Sequence, residues 1–233
     1  MKVKQLGNGG GFDFHMANSS FLIESNNHTI LFDCGFNIMD RLKSDSNIKI
    51  EDINDVYISH MDEDHVGNLK MFIYWRYFIH KKRTNVICHR GLEIDIINYL
   101  KNMESEFIGC RTVDAYMFDI LTIGSESDSV IYPDFNIKAT DCFHGKLITH
   151  GAIFYVKNKS VFISADTKAS SYIEKVSKDC DLIFHDFSNW DFVTRNVHTC
   201  KTDFELEYTS KYKSKVIKYH TGEENFKKSW YIL

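Results

Sequence analysis

The feature that most constrains this chain is a cluster of metal-binding side chains directly after an apolar segment. Four such side chains fall within six residues: His60, Asp62, Asp64 and His65. Imidazole nitrogens and carboxylate oxygens are ligands that divalent first-row metals use. Residues 55–58 before the cluster predict a buried strand, and residues 67–69 after it predict the start of a helix. A turn from strand to helix lies at the edge of a sheet, where open α/β folds place their sites. The run therefore predicts a metal centre rather than a solvated acidic turn.

Length and composition indicate one large α/β domain spanning residues 1–233, because 43% of the residues are hydrophobic and 26% are charged. The net charge of −4 gives no basic surplus, so long nucleic acid is not an expected partner. The six cysteines are scattered and form no Cys-x-x-Cys pair, which favours reduced thiols and a cytoplasmic location. No apolar run of about 18 residues predicts a membrane span, and the first residues predict no signal peptide.

Polar residues follow several of the apolar segments that predict strands. They include carboxylates and imidazoles at seven positions: Asp33, His60, His144, Asp166, His185, Asp186 and His220. A single histidine in this context is usually a core or surface residue. Because the same context recurs, these strand ends predict a common rim that carries metal ligands.

The other segments give a coarser prediction of secondary structure. Residues 20–24 and 29–33 predict a β-hairpin, and residues 129–139 predict one strand. The aromatic segment 67–80 predicts a helix whose rings lie mostly in the core, with a base-stacking platform as the alternative. The glycine run 7–11 lacks the Gly-Lys-Ser/Thr ending of a phosphate-binding P-loop. It predicts a tight loop.

The motifs resemble those of the metallo-β-lactamase superfamily over nearly the whole chain. The cluster reads His60-x-Asp62-x-Asp64-His65, which is similar to the signature His-x-His-x-Asp-His. His144, Asp166 in Ser-Ala-Asp-Thr, and His220 are similar to the later metal-binding motifs. The resemblance implies a four-layer αβ/βα sandwich with a two-metal site.

The resemblance also implies a ligand set. One metal would be held by His60, Asp62 and His144, and the other by Asp64, His65 and His220, with Asp166 between them. His150 is the alternative to His144 as the metal-binding histidine that follows the signature cluster in the sequence. Most members have histidine where this chain has Asp62. Carboxylate is a harder ligand, so the expected preference moves from zinc toward manganese, iron or magnesium.

Within the superfamily, the chain resembles the branch that contains ribonuclease Z and cyclic-nucleotide phosphodiesterases. The matching features are Leu6-Gly7-Asn8-Gly9, Phe184-His185-Asp186, and a Val197-His198-Thr199 motif 22 residues before His220. The resemblance implies that His198 assists catalysis, as a general acid. Asp64 and Asp166 would orient the attacking water, and Asp33 and Asp186 would fix histidine tautomers. Asp33 could equally be a structural turn residue.

The predicted substrate is a small phosphodiester. Only 21 residues separate His144 and Asp166, which leaves no room there for a tRNA-holding arm. We therefore expect hydrolysis of a 3′,5′-cyclic nucleotide to the 5′-monophosphate. The branch includes viral anti-Pycsar phosphodiesterases that destroy cyclic pyrimidine defence signals, and it implies a homodimer in the bacterial or infected host cell. A tRNA 3′-processing nuclease, a lactonase and a non-catalytic nucleotide-binding sponge remain as alternatives.

Overall fold

Two β-sheets organise the chain, and their strands follow the apolar runs of the sequence. A computed structural model describes residues 1–26, 28–101, 117–124, 128–133, 135–189, 196–224 and 226–233. The first sheet has seven strands, whose bounds in chain order are β1 Lys2–Gly7, β2 Ser20–Ser25, β3 His28–Phe32, β4 Asp55–Ile58, β5 Thr84–His89, β6 Phe118–Ile123 and β13 Tyr231–Ile232. The second sheet has six: β7 Val130–Tyr132, β8 Phe135–His144, β9 Leu147–Val156, β10 Lys159–Ile163, β11 Leu182–Asp186 and β12 Val216–Tyr219.

Both sheets are mixed, and each has a parallel half. The first has the order β13-β1-β2-β3-β4-β5-β6, in which β3 to β6 run parallel. The second has the order β12-β11-β10-β9-β8-β7, in which β10 to β12 run parallel. The carboxyl ends of parallel strands share one edge of a sheet, where ligand sites form. This topology therefore brings the ends of β3, β4, β10, β11 and β12 toward a common rim.

Helices cover the outer face of each sheet. Their bounds are α1 Ile38–Ser44, α2 Glu63–Val66, α3 Leu69–Tyr74, α4 Glu93–Lys101, α5 Ser171–Ser177, α6 Lys201–Glu207 and α7 Ser210–Lys213. The spacing of apolar residues sets which face is buried. In α4, Ile96 and Leu100 lie one turn apart and both are buried. Ser170 caps α5, because its side chain accepts a hydrogen bond from the Ile173 N–H.

Three apolar clusters separate four layers. The inner cluster joins the two sheets and includes stacked Phe32 and Tyr57, with Phe154 of the second sheet against them. A second cluster lies between the first sheet and α1 to α4, and a third between the second sheet and α5 to α7. This helix–sheet–sheet–helix order is the predicted αβ/βα sandwich, so the fold expected from the sequence is confirmed.

Four details differ from the sequence prediction. Segment 129–139 is two strands, β7 and the start of β8, because Pro133 lies between them and cannot donate to a ladder. Segment 67–80 is α3 followed by a π-helical turn at Trp75–Ile79.

The C-terminal segment adds β13, which pairs with β1 at the sheet edge. No residue of the glycine run 7–11 has a positive φ. Glycine is required at position 7 for a different reason, because a Cβ there would lie 2.2 Å from the carbonyl oxygens of Ala17 and Asn18.

Five cysteines lie in the described part of the chain, and all are buried thiols, as expected for a reduced protein. Cys110 lies outside the described residues. The sequence also predicts a strand over residues 115–123, of which residues 115 and 116 lie outside the described part and Phe118–Ile123 form β6. Among the helices that the structure describes, none has both the length and the apolar character needed to cross a membrane.

Candidate metal centre

The rim between the sheets is built where strands end in a left-handed backbone turn. Asp33 after β3, Ala165 after β10 and His220 after β12 have φ values of 59°, 55° and 64°. A positive φ is uncommon for residues other than glycine and costs about 1–3 kcal/mol at each position. Such strain persists where the surrounding structure imposes it, typically at functional sites. Here, Asp33 is the partner of His65, Ala165 directly precedes Asp166, and His220 is itself a predicted ligand.

The signature cluster forms the turn between β4 and α2. Asp62 occupies the position before α2, where an aspartate usually caps the helix by accepting backbone N–H bonds. The Asp62 side chain makes no capping hydrogen bond. It faces the rim instead, which leaves its carboxylate available to other groups there.

The first group of ligands consists of His60, Asp62 and His144. Asp62 Oδ2 lies 3.6 Å from His60 Nε2 and 3.3 Å from His144 Nε2. In this group, one nitrogen or oxygen of each residue lies within 4.8 Å of the others. Two imidazoles and one carboxylate at this spacing can hold a divalent cation.

The second group consists of Asp64, His65 and His220. Asp64 Oδ2 lies 3.4 Å from the Nε2 atoms of both His65 and His220. The second group therefore has the same composition as the first. The presence of Asp62 in place of a histidine makes the two positions chemically alike, each with two imidazoles and one carboxylate.

Asp166 lies between the two groups. Its Oδ1 is 3.2 Å from His65 Nε2 and 3.8 Å from His220 Nε2, and its Oδ2 is 3.9 Å from His60 Nε2. One carboxylate therefore faces ligands of both groups, through different oxygens. This arrangement would allow Asp166 to bridge two ions, which is the role that the resemblance implies for it.

All four histidines present Nε2 to the centre and are held through Nδ1. His65 Nδ1 lies 2.7 Å from Asp33 Oδ2, and His144 Nδ1 donates to the Val197 carbonyl at 2.8 Å. His60 Nδ1 lies 2.9 Å from the Ser59 hydroxyl, and His220 Nδ1 lies 3.3 Å from Asp186 Oδ1. Partners of this kind fix the tautomer and orientation of metal-binding histidines. Asp33 thus serves as both a turn residue and a histidine partner.

The donor set fits divalent cations. His60 Nε2, His65 Nε2 and Asp166 Oδ1 are buried polar atoms without a hydrogen-bond partner among the described residues. Buried polar atoms are normally satisfied, so three that face one another indicate a ligand between them. The three carboxylates stay ionised. Hydrogen bonds from His144 and His60 lower the pKa of Asp62. His65 and His220 lower the pKa values of Asp64 and Asp166 despite burial.

His198 lies beside this centre. Its Nδ1 is 2.9 Å from Asp186 Oδ2 and 3.6 Å from Asp166 Oδ2. Burial alone would lower the pKa of His198, but the charge and hydrogen bond of Asp186 outweigh burial and raise it. His198 therefore holds a proton more readily than an ordinary histidine does, at the edge of the cluster.

Two other histidines considered from the sequence lie elsewhere. His150 stacks on His89 at 3.6 Å between ring centroids, and its Nδ1 lies 3.1 Å from Asp141 Oδ1, outside the metal-ligand groups. His185 shares a strand end with Asp186 but faces α6, where its Nε2 bonds the Tyr208 hydroxyl. Successive side chains on a strand point to opposite faces, so only one of this pair can reach the rim.

The centre opens into a pocket of about 680 Å³, the size of a small-molecule site. One wall carries the carboxylates and imidazoles already described. The lining also contains residues that the sequence analysis did not assign to the site, among them Gly10, Gly11, Phe12, Asp13 and Phe36. The glycine run 7–11 is the feature of the sequence that marks the loop carrying Gly10 and Gly11, but it predicts only a tight loop and gives no indication of a ligand.

Comparisons with known proteins agree with this geometry. The family model "Anti-Pycsar protein Apyc1" matches residues 1–229. The Anti-Pycsar protein Apyc1 of Bacillus phage BSP38 is 25% identical over 216 residues, which cover 84% of this chain and 79% of the phage protein.

Solved structures with the same fold are more distant in sequence. The metallo-β-lactamase fold protein YhfI from Bacillus subtilis has a TM-score of 0.76 and 16% identity, covering 94% of this chain and 86% of YhfI. The short form of human tRNase Z has a TM-score of 0.73 and 18% identity, covering 95% of this chain and 93% of the human protein. At these identities the likeness concerns the fold.

Proposed function

The chain belongs to the Apyc1 family of anti-Pycsar proteins, and from this premise we propose that it is a metal-dependent phosphodiesterase. The proposed reaction is the hydrolysis of a 3′,5′-cyclic nucleotide to the 5′-monophosphate, with a cyclic pyrimidine signal as one candidate substrate. The observation that carries the proposal is the pair of two-histidine, one-carboxylate groups on either side of Asp166. His60, Asp62 and His144 would hold one divalent ion, and Asp64, His65 and His220 the other.

When bound, two divalent ions would polarise the phosphoryl oxygens, supply a nucleophile near neutral pH and stabilise the leaving oxygen. The residues of the chain would position and protonate the reactants. Asp64 and Asp166 would accept hydrogen bonds from the attacking water and orient it toward phosphorus. As the P–O3′ bond breaks, His198 would give its proton to O3′ from Nε2, while Asp186 holds Nδ1. One water is consumed, and the products are a 3′-hydroxyl and a 5′-phosphate.

Manganese, iron, magnesium and zinc are all candidates for the bound ions. Asp62 gives the site three carboxylates instead of two, which adds negative charge and hard oxygen ligands. Both changes support manganese, iron or magnesium over zinc.

Two observations support a small substrate over tRNA. The chain between His144 and Asp166 consists of the β8–β9 turn, β9 and β10, so it adds no arm there. The described residues that line the pocket include no lysine or arginine, whereas sites for long nucleic acids are rich in both.

The test is hydrolysis of a panel of cyclic purine and pyrimidine nucleotides by the metal-free protein supplied with manganese, zinc or cobalt. We expect turnover that requires metal and releases the 5′-monophosphate. Cleavage of pre-tRNA or a homoserine lactone, with no turnover of any cyclic nucleotide, would refute the proposal. Binding of nucleotide by a metal-loaded but inert protein would show a sponge instead.

We also propose that residues 1–233 form one domain that acts as a homodimer, as the family resemblance implies. The five buried thiols support a reducing, cytoplasmic location. Gel filtration with light scattering is expected to give twice the mass of 27.2 kDa. A monomer mass at micromolar concentration would contradict the dimer and leave the proposed chemistry untouched.

A further inference from the structure

Phe12 is the most exposed large apolar side chain in the described part of the chain, with 92% of its surface accessible. It also lines the pocket above the metal centre. An exposed phenylalanine on its own needs no explanation. An exposed ring at the mouth of a charged pocket is a different case, because it offers a flat apolar surface beside a site for phosphate.

The loop that carries Phe12 is held by hydrogen bonds at both ends. At its base, the N–H groups of Asn8 and Gly9 both donate to the Ala17 carbonyl, at 3.1 and 3.0 Å. At its tip, the Gly10 N–H donates to Asp13 Oδ2 at 2.8 Å, and the Asp13 N–H donates to the Gly10 carbonyl. The loop is therefore built to hold this conformation. A preorganised aromatic ring loses little entropy when a ligand stacks on it.

The same loop passes directly over the predicted metal ligands. A Cβ at Gly10 would lie 3.2 Å from His220 Nε2, and a Cβ at Gly11 would lie 3.5 Å from Asp64 Oδ1. Phe12 is the next residue, about 3.8 Å further along the Cα trace. Phe12 is thus the neighbour in sequence of the residues that pass over the groups that would bind metal and phosphate.

The remaining lining gives no other candidate for holding a base. Apart from the loop, the described lining residues are mainly carboxylates and the imidazoles already placed at the metal centre. The other phenylalanine of the lining is Phe36, whose ring centroid lies 6.5 Å from Phe14. Phe14 itself is exposed but does not line the pocket. Phe12 is therefore the exposed phenylalanine among the described residues that line the pocket.

We propose that Phe12 is the platform on which the nucleobase of the substrate stacks, an inference that rests on the proposed function. Every base has a π-face, so stacking gives affinity without selecting a particular base. Phe12 therefore explains recognition of a nucleoside. The choice among bases must come from hydrogen-bonding groups elsewhere in the pocket.

The experiment compares Phe12→Ala, Phe12→Trp and the matched control Phe14→Ala with the wild-type protein. Each is assayed with a 3′,5′-cyclic nucleotide and with ribose 3′,5′-cyclic phosphate, which lacks the base. We expect Phe12→Ala to raise KM for the nucleotide by about 5- to 150-fold, from the usual strength of base stacking. KM for the abasic substrate should not change. Phe12→Trp should restore nucleotide KM, and Phe14→Ala should affect neither substrate.

Equal effects of Phe12→Ala on both substrates, or no effect, would overturn the inference. So would conversion of a dimer to a monomer by Phe12→Ala, because the ring would then be an interface residue. Calorimetric titration with a cyclic nucleotide separates this inference from the proposed function. Phe12-dependent binding without turnover would refute the phosphodiesterase and support the platform, whereas failure of the wild-type protein to bind any cyclic nucleotide would overturn both.

Discussion

Asp186 Oδ2 lies 2.9 Å from His198 Nδ1, so a carboxylate at the end of β11 fixes the orientation of this imidazole ring. The other oxygen of Asp186 lies 3.3 Å from His220 Nδ1. One buried carboxylate therefore positions both the proposed proton donor and a proposed metal ligand. The two roles can be separated by experiment.

The first prediction concerns His198 and its partner. His198→Ala should lower kcat by about 10²- to 10⁴-fold, the usual contribution of a general acid, without changing metal content. Asp186→Asn should lower activity by about 10- to 100-fold, as is typical for a residue that orients a functional histidine. Both are measured at saturating metal, with bound metal determined by mass spectrometry.

The double variant tests whether Asp186 acts through His198. If it does, adding Asp186→Asn to His198→Ala should cause less loss of kcat than the two single effects combined. Fully additive losses at saturating metal would show that Asp186 does not act through His198.

The composition of the site could be predicted because each ligand follows a local signal. His60, Asp166 and His220 come directly after apolar strands, and parallel strands place such ends on one edge. The four-layer fold followed from the resemblance of these motifs. Whether the ligands bind metal stays a prediction, although the structure brings all seven predicted ligands together.

The partners of the ligands could not be predicted in the same way. His144 Nδ1 bonds the carbonyl of Val197, which is 53 residues away and has no side-chain signal. The place of Phe12 in the pocket lining could not be predicted, because a glycine run indicates a loop but not that Gly11 lies beside Asp64. β13 was missed because a two-residue edge strand is fixed by its pairing with β1 and has almost no periodicity of its own.

The second prediction concerns metal choice. Asp62→His should raise the ratio of bound zinc to bound manganese, because it removes a hard anionic ligand and adds an imidazole. Glu63→Gln is the matched control, since Glu63 lines the same pocket but belongs to none of the ligand groups. The protein is dialysed against equal zinc and manganese, and the bound metals are measured. An unchanged ratio in Asp62→His would show that Asp62 does not bind metal.

The third prediction concerns the close packing beneath α2. A Cβ at Gly35 would lie 2.0 Å from the backbone oxygen of Asp64, whereas one at Gly11 would meet the Asp64 side chain at an ordinary 3.5 Å. Gly35→Ala must therefore displace the turn that carries the signature. We expect it to lower the free energy of unfolding by about 1–3 kcal/mol and to reduce metal content. Gly11→Ala should leave the free energy of unfolding nearly unchanged in the same chemical denaturation experiment. Equal stabilities for the two variants would contradict the predicted clash.

The fourth prediction concerns His150, which is buried beside His89 and faces Asp141. Burial, and then repulsion from His89, lower the pKa of His150 to about 4, against the opposing effect of Asp141. Its ordinary pKa is about 6.5, so the unfolded chain binds the proton more readily between these values. The neutral ring therefore contributes its full stability above pH 6.5, and this contribution is lost as pH falls toward 4. We expect a loss on the order of 1–3 kcal/mol over this range.

The test of this last prediction is the pH dependence of stability in the wild-type protein and in His150→Gln. A glutamine cannot titrate, so the variant should lose less stability than the wild type between pH 6.5 and pH 4.5. Any constant difference caused by altered packing is measured at pH 8 and subtracted, because His150 is neutral in both states of the wild type there. Parallel stability curves for the two proteins would show that His150 takes up its proton equally well in the folded and unfolded chains. The stacked pair would then impose no acid sensitivity on the fold.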